Sequence, residues 1–402
     1  MPSTRPRGGR IENGLRKRCA TPEKTPRSGH SCAARPHSPL RMLHNPCPRC
    51  FGTAPPEHAH TTAHRPHSGP LAPDRISASM TESPAPPATQ PRSTSSPTAH
   101  VSARSVAAAC AASGRFALAI IGPGALGLHF AARLEGVVPV ALIARDAAAA
   151  ARLRAGVEVD GRGFRPQAFG PEQAPEADWV IVLVKAGDTA TAAATASRMR
   201  PLGVLSLQNG LTGELLRAHC AAPRVDQGIT TEGAYRERGD RGDRVHPSGA
   251  GETLVPPGFE AVAELLVRAG LRARVAPDIA HARLAKLLVN AAINPLAALF
   301  RVPNGALLDP PHRVLLDTLV REALPVLRAQ GLDLDEAAAL ARVHAVAHAT
   351  ATNRASMLQD MLAGRRTEID AITGALLRMA ADRAVDLPAH RAVHTLVCAL
   401  EP

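Results

Sequence analysis

Three polar side chains stand four residues apart in an otherwise apolar run, Lys286-Leu-Leu-Val-Asn290-Ala-Ala-Ile-Asn294-Pro295. On a helix each step of four drifts by about 40°, so the ammonium and both carboxamides form one stripe while Leu287, Leu288 and Ile293 face a core. Buried asparagines also bridge helices, and a lysine can snorkel to water, but three such residues on one line favour a cleft. Such a stripe offers one cationic proton donor and two carboxamides to whatever occupies the cleft. A free lysine, near pKa about 10.4, is a poor acid at neutral pH, and burial against apolar side chains lowers that value.

A second constellation is Gly122-Pro123-Gly124-Ala125-Leu126-Gly127, a G-x-G-x-x-G between an apolar run and a helical segment. In that context the first glycine allows a tight turn, the second lets backbone approach a pyrophosphate, and the third permits close helix-to-strand packing. Pro123 removes one backbone N–H from this loop. Arg145, 23 positions after Gly122, offers a cation to a ribose 2′-phosphate and favours NADPH. Asp146 beside it offers the alternative of a ribose hydroxyl contact, and an Arg–Asp pair on the surface is the third reading.

These groups need elements to hold them. Phe116 to Ile121 reads as a strand buried on both faces, with a helix over 126–134 and a second strand over 138–144. Further strands are expected at 179–184, ending at Lys185, and at 204–207, ending at Gln208-Asn209-Gly210. Both endings fall at the carboxyl edge of an open α/β sheet, where ligands bind. From about Pro277 the pattern becomes Ala- and Leu-rich at helical spacing, predicting helices over 284–298, 314–329, 335–353 and 368–383. Asp333 to Glu336 suits the start of the third. Gly364-Arg365-Arg366 interrupts the preceding helix; either arginine could meet an acidic substrate, but a solvated loop is the preferred reading for both. Thr367 with Asp370 resembles a cap that places Glu368 in the first turn of the last predicted helix. The expected architecture is a Rossmann-type, doubly wound α/β domain over 115–277, followed by an all-helical domain over 278–402.

The chain has 402 residues, 45% hydrophobic and 20% charged, enough apolar material for one or two buried cores. Its net charge of +12 suggests a nucleic-acid partner only if spread over a folded surface. Residues 1–114 carry 15 Lys+Arg against 5 Asp+Glu, leaving 32 against 30 for the rest, so no specific nucleic acid is expected. That leader also holds 18 of 36 prolines and lacks an apolar period, so it reads as disordered, or as sequence upstream of a true start at Met42, Met80 or later. Cys47-x2-Cys50 with His44 lacks the second pair of a zinc finger, and the prolines break the amphipathic helix of a transit peptide. The most apolar stretch, 116–132, is interrupted by glycines, so no membrane span is expected. Only Cys220 and Cys398 follow the leader, which fits a reducing cytoplasm. The nine histidines there show no H-E-x-x-H or other metal spacing, and no metal is expected.

Taken together, the motifs resemble the ketopantoate reductase (2-dehydropantoate 2-reductase) family from about Phe116 to Leu387. They are the glycine loop, Lys185-Ala186, Gln208-Asn209-Gly210, Lys286-x3-Asn290-x3-Asn294-Pro295, Pro303-Asn304-Gly305, and Asn353-x2-Ser356-Met357-Leu358-Gln359-Asp360 leading to Thr367-Glu368-Ile369-Asp370. The resemblance implies NADPH-dependent reduction of ketopantoate to pantoate, toward pantothenate and coenzyme A, by a monomer or homodimer. It implies Lys286 as proton donor, Glu368 as the carboxylate that contacts substrate and assists catalysis, and Asn290, Asn294 and Ser356 as substrate-binding groups. Lys185 and Asn209 fall on the cofactor side, with Asn209 and Glu368 shared between cofactor and substrate, and Asn353 and Asp360 in support. The alternatives are an NADP-dependent reductase of another branched 2-oxo acid and a non-catalytic NADP-binding regulator, the latter requiring a damaged site.

Overall fold

The computed structural model describes residues 115–239 and 242–402. The expectations for residues 1–114, including Cys47 and Cys50, lie outside the described residues. From its amino end the described chain forms β1 (Phe116–Ile121), α1 (Ala125–Leu134), β2 (Val140–Ile143), α2 (Ala147–Ala155), and three short strands, β3 (Val157–Val159), β4 (Arg162–Phe164) and β5 (Gln167–Phe169). It continues through β6 (Ala177–Val182), α3 (Thr189–Arg198), β7 (Gly203–Ser206), α4 (Gly213–His219) and β8 (Val225–Gln227). Six of these strands form a wholly parallel sheet in the order β5-β2-β1-β6-β7-β8.

The unbroken apolar run of β1 follows from coverage on both sides. Leu118 and Ile120 pack with Leu128 and Phe130 of α1 on one face, while Ala119 and Ile121 pack with Ala192 and Ala196 of α3 and Leu216 of α4 on the other. The sheet is therefore doubly wound.

Past β8 the simple alternation gives way to β9 (Ile229–Thr230), β10 (Gly233–Gly239), β11 (Gly242–Gly249), β12 (Thr253–Val255), α5 (Glu260–Arg268) and β13 (Ala273–Val275). These complete two smaller sheets, β10-β11-β3-β4 and β13-β12-β9. Segments such as Gly242-Asp-Arg-Val-His-Pro-Ser-Gly lack an apolar run or a period of two, so sequence pattern does not reveal them.

The helical part comprises α6 (Ile279–Phe300), α7 (His312–Arg328), α8 (Glu336–Ala349), α9 (Ser356–Leu362), α10 (Ile369–Ala381) and α11 (Pro388–Leu400). At its centre α6 touches each of the other five, and its apolar residues are buried around most of its circumference. With 22 residues it is long and apolar enough to cross a membrane by length and composition, yet 72% of that window is buried inside the protein, as suits a core helix. It begins five residues before the expected start because Asp278 caps it, accepting from the His281 N–H at 3.0 Å. Asp335 caps α8 in the same way, accepting from Ala338 N–H at 2.7 Å.

Two boundaries differ from the pattern. The expected helix over 335–353 stops at Ala349, because the next turn is held by the Pro303-Asn304-Gly305 segment: Asn304 N–H donates to Asn353 O and Gly305 N–H to Ala351 O, both at 3.0 Å. In addition, α9 is only seven residues long, too short to show a helical period.

Candidate active site

The glycine loop joins β1 to α1 and is shaped by close approaches. Gly122 has φ +110°, and a Cβ there would lie 2.7 Å from Leu183 C and Val184 N at the end of β6. A Cβ on Gly127 would meet Gly122 O at 2.1 Å, so the third glycine is what lets α1 sit against the turn. Above Gly124 nothing lies within 4 Å of that position, which leaves its backbone open to a bulky anion at the start of α1. Pro123, Ala125 and Leu126 complete this rim as half-buried residues. The loop thus fits a dinucleotide pyrophosphate.

Beyond β2, Arg145 is largely exposed and its Nε donates to Asp146 Oδ2 at 3.1 Å, so the surface pair does form. Asp146 has a second duty as the cap of α2, accepting from Ala149 N–H at 2.6 Å. That backbone bond, with help from Arg145, holds its carboxyl below the usual range against a smaller opposing effect of desolvation.

The edge of the sheet and the helical part meet around two lysines and a buried carboxylate. Lys286 Nζ donates to Thr230 O at 2.7 Å and to Asn209 Oδ1 at 3.1 Å. Asn209 Nδ2 in turn donates to Glu368 Oε2 at 3.1 Å. Lys185 Nζ lies 3.6 Å from the same carboxylate oxygen and donates to Asp360 Oδ2 at 2.6 Å. Burial lowers the Lys286 pKa to about 8 against the opposing pull of Glu368. For Lys185 desolvation also pulls down, but Glu368 and Asp360 outweigh it and its pKa is raised. The site therefore holds one lysine poised to give up a proton and one held firmly cationic.

Gly210 brings these parts together. With φ +74°, it lets the 208–210 turn run against α10, where a Cβ would meet Ala371 O at 2.3 Å, and the next N–H, of Leu211, donates to that same carbonyl at 3.3 Å. The contact is what places Asn209 beside Glu368. Gln208 anchors the other side of the turn, donating to Val184 O at 3.0 Å and Thr189 Oγ1 at 2.9 Å.

Glu368 stands at the N-cap of α10 and not in its first turn. Thr367 does turn its hydroxyl oxygen to a helix N–H, that of Ile369 at 3.2 Å, but Glu401 captures both its N–H and its hydroxyl proton, and Asp370 turns away to His394. Arg365, expected in solvent, is drawn to Asp360 Oδ1 at 3.1 Å because that carboxylate is buried and needs cationic partners.

Of the expected stripe on α6, Asn290 lines the same small cleft as Lys286, together with Leu287, Ile229, Gln208 and Arg283. Asn294 is buried and does not border that cleft. Eight residues on from Lys286 the helix has turned by about 80°, enough to carry a side chain off the line. Ser356 is exposed at the first residue of α9, without a side-chain bond to the lysine cluster. A larger concavity, bordered by Val138, Pro139, Phe164 and Arg165, lies near the amino ends of β2 and β5, away from these groups.

Other participants carry no sequence signal. The Thr230 carbonyl is backbone, and Gln227, which holds the 210–213 turn through Gly210 O at 2.7 Å and Gly213 N–H at 2.9 Å, is an isolated glutamine.

Residues 118–258 match the family described as Ketopantoate reductase PanE/ApbA, and residues 278–401 match Ketopantoate reductase PanE/ApbA C terminal. A 2-dehydropantoate 2-reductase of Archaeoglobus fulgidus is 36% identical over 293 residues, 70% of this chain and 97% of the relative. One from Halobacterium salinarum is 35% identical over 294 residues, 69% of this chain and 96% of the relative. The crystal structure of a PanE/ApbA family ketopantoate reductase from Ralstonia eutropha JMP134 superposes with a TM-score of 0.61 at 27% identity, covering 70% of this chain and 97% of that one. One family model spans the parallel sheet with its glycine loop and the other spans the helical part, and the relatives are covered almost end to end, so the chain belongs to the ketopantoate reductase family.

Proposed function

We propose that this protein reduces ketopantoate to pantoate with NADPH, a step toward pantothenate and coenzyme A. The observation that carries the reading is the chain Lys286–Asn209–Glu368, which joins the end of β7 to α6 and α10 beside the glycine loop's end of the sheet. The two halves correspond to a cofactor domain over 115–277 and a substrate domain over 278–402.

The residues present fit the cofactor. Gly122, Gly124 and Gly127 with the start of α1 would hold the pyrophosphate, and exposed Arg145 would meet a 2′-phosphate, Asp146 being engaged as a helix cap. The reduced nicotinamide, when bound, supplies hydride to the carbonyl carbon. Lys286 holds the proton that the carbonyl oxygen takes up as negative charge builds there, and its lowered pKa makes that transfer easier than from a free lysine. The Thr230 carbonyl and Asn209 Oδ1 fix two of the three ammonium directions and leave the third for substrate. Glu368 orients Asn209, offsets part of the cost of burying the Lys286 ammonium, and offers an acceptor to a substrate hydroxyl. Asn290 on the cleft wall would hold polar groups of the substrate, with apolar Ile229 and Leu287 suited to a branched carbon skeleton. The family resemblance also offers Asn294 and Ser356 to the substrate, although neither borders this cleft.

The test is oxidation of NADPH by the purified protein with ketopantoate and a panel of other branched 2-oxo acids. Preference for ketopantoate that disappears in Lys286→Ala is the expected result. Greater kcat/KM for a different 2-oxo acid would reassign the substrate and keep the lysine mechanism, and no turnover of any 2-oxo acid would end the reading.

A further inference from the structure

We propose a divalent-metal site of the zinc class where α10 and α11 pack, formed by Asp370, His394 and Cys398. His394 and Cys398 are four residues apart on α11 and share a face, and Asp370 reaches them from the first turn of α10. His394 Nε2 lies 2.8 Å from Asp370 Oδ1, and Cys398 Sγ lies 3.8 Å from His394 Nδ1 and 3.9 Å from Nε2. One donor atom from each residue lies within 4.8 Å of the other two. Tetrahedral zinc, with Zn–S of about 2.3 Å and Zn–N or Zn–O of about 2.0–2.2 Å, needs donors roughly 3.3–3.6 Å apart, so the three can close on one ion with shifts on the order of 1 Å.

The donor set selects the ion. One thiolate, one imidazole and one carboxylate suit zinc or cobalt and are too soft and too few for magnesium or calcium. Asp370 and Cys398 are exposed, so water can take the fourth position. Gly374, one turn after Asp370, flanks the cluster: a Cβ there would stand 3.3 Å from Arg378 Nη1, 3.4 Å from His394 Nε2 and 3.5 Å from Asp370 Oδ1. The neighbouring Arg378 donates to the Asp370 backbone carbonyl at 3.2 Å, and the Asp370 carboxylate is held by His394 Nε2, a contact that the ion would replace. On binding, the Cys398 thiol loses its proton to water and the sulfur's electron pair forms the metal bond, while the imidazole binds as its neutral form. The ion would brace α10 against α11 two residues beyond Glu368. Reading along the sequence does not find this site, because the third ligand lies 24 residues earlier on another helix.

Cobalt(II) serves as the probe, since thiolate ligation gives it a ligand-to-metal charge-transfer band. The full-length chain carrying Cys47→Ser and Cys50→Ser removes the thiol pair of the leader from the measurement. In that background one equivalent of cobalt should develop the band, and zinc should abolish it and raise Tm by several degrees. Adding Cys398→Ser should remove the band and the Tm rise, while His394→Gln should weaken cobalt binding at least tenfold. Should Cys398→Ser not fold, His394→Gln decides by itself. Absence of the band in the Cys47→Ser/Cys50→Ser chain, or a band and affinity indifferent to both α11 substitutions, overturns the proposal.

Discussion

Lys286 and Glu368 are coupled through one carboxamide: Asn209 accepts from the ammonium at 3.1 Å and donates to the carboxylate at 3.1 Å. Because the amide has an acceptor at one end and a donor at the other, it fits between a cation and an anion in one orientation only.

Lys286→Ala should lower kcat by about 10²-fold or more, as loss of a general acid does. Asn209→Ala should cost less, about tenfold to a hundredfold, on the scale of a hydrogen bond to a charged group, roughly 1.5–3 kcal/mol. Asn209→Asp should be worse than alanine, because it sets a second carboxylate against Glu368. Steady-state kinetics on the three proteins decide, and an Asn209→Asp enzyme as active as the wild type would show that the orientation does not matter.

The lowered pKa of Lys286 carries a sign that can be checked. The proton donor must be protonated, so kcat should be level at low pH and fall as pH rises through about 8. Glu368 opposes the depression, so Glu368→Gln should move this limb to lower pH while reducing the rate. Lys286→Arg should retain charge and abolish the limb, since a guanidinium does not release its proton in this range. A limb that stayed in place in Glu368→Gln would separate the two residues electrostatically.

Gly210 ties the sheet edge to α10 in a conformation that an L-residue disfavours and at a distance that leaves no space for a methyl group. Gly210→Ala should destabilise the protein by about 1–3 kcal/mol, the range for strain and overpacking, and should reduce kcat because Asn209 shifts from Glu368. Thermal unfolding reads the first effect and steady-state kcat measured well below Tm reads the second; an unchanged kcat would show that the position of Asn209 does not depend on this contact.

How far the sequence shows this arrangement depends on the range of each interaction. The strand–glycine–helix unit and the long helices are legible because their signals are local: an apolar run stopped by Gly122, and Lys286 and Asn290 at helical spacing on α6. The short strands β9 to β12 are not, since their residues are ordered by pairing partners and not by an apolar period. Glu368 can be placed near the start of a helix, but whether it lies inside the first turn or at the cap depends on Glu401, 34 residues away by the Thr367 contact. The line from Lys286 to Asn294 tolerates one step of about 40° but not two, so Asn290 stays at the cleft and Asn294 leaves it, and the third metal-type donor beside His394 and Cys398 emerges only when α10 packs on α11.

The side chains after β2 divide two tasks that sequence leaves undivided. Asp146 is committed to capping α2, whereas Arg145 is largely exposed and only its Nε is taken. Arg145→Ala should therefore raise KM for NADPH by about tenfold to a hundredfold, the scale of a charge-assisted contact of roughly 1.5–3 kcal/mol, and leave KM for NADH unchanged. Asp146→Ala should lower Tm by fraying α2 and leave the ratio of NADPH to NADH efficiency close to wild type. If the ratio instead moves with Asp146 and ignores Arg145, the carboxylate reads the ribose and NADH is the natural reductant.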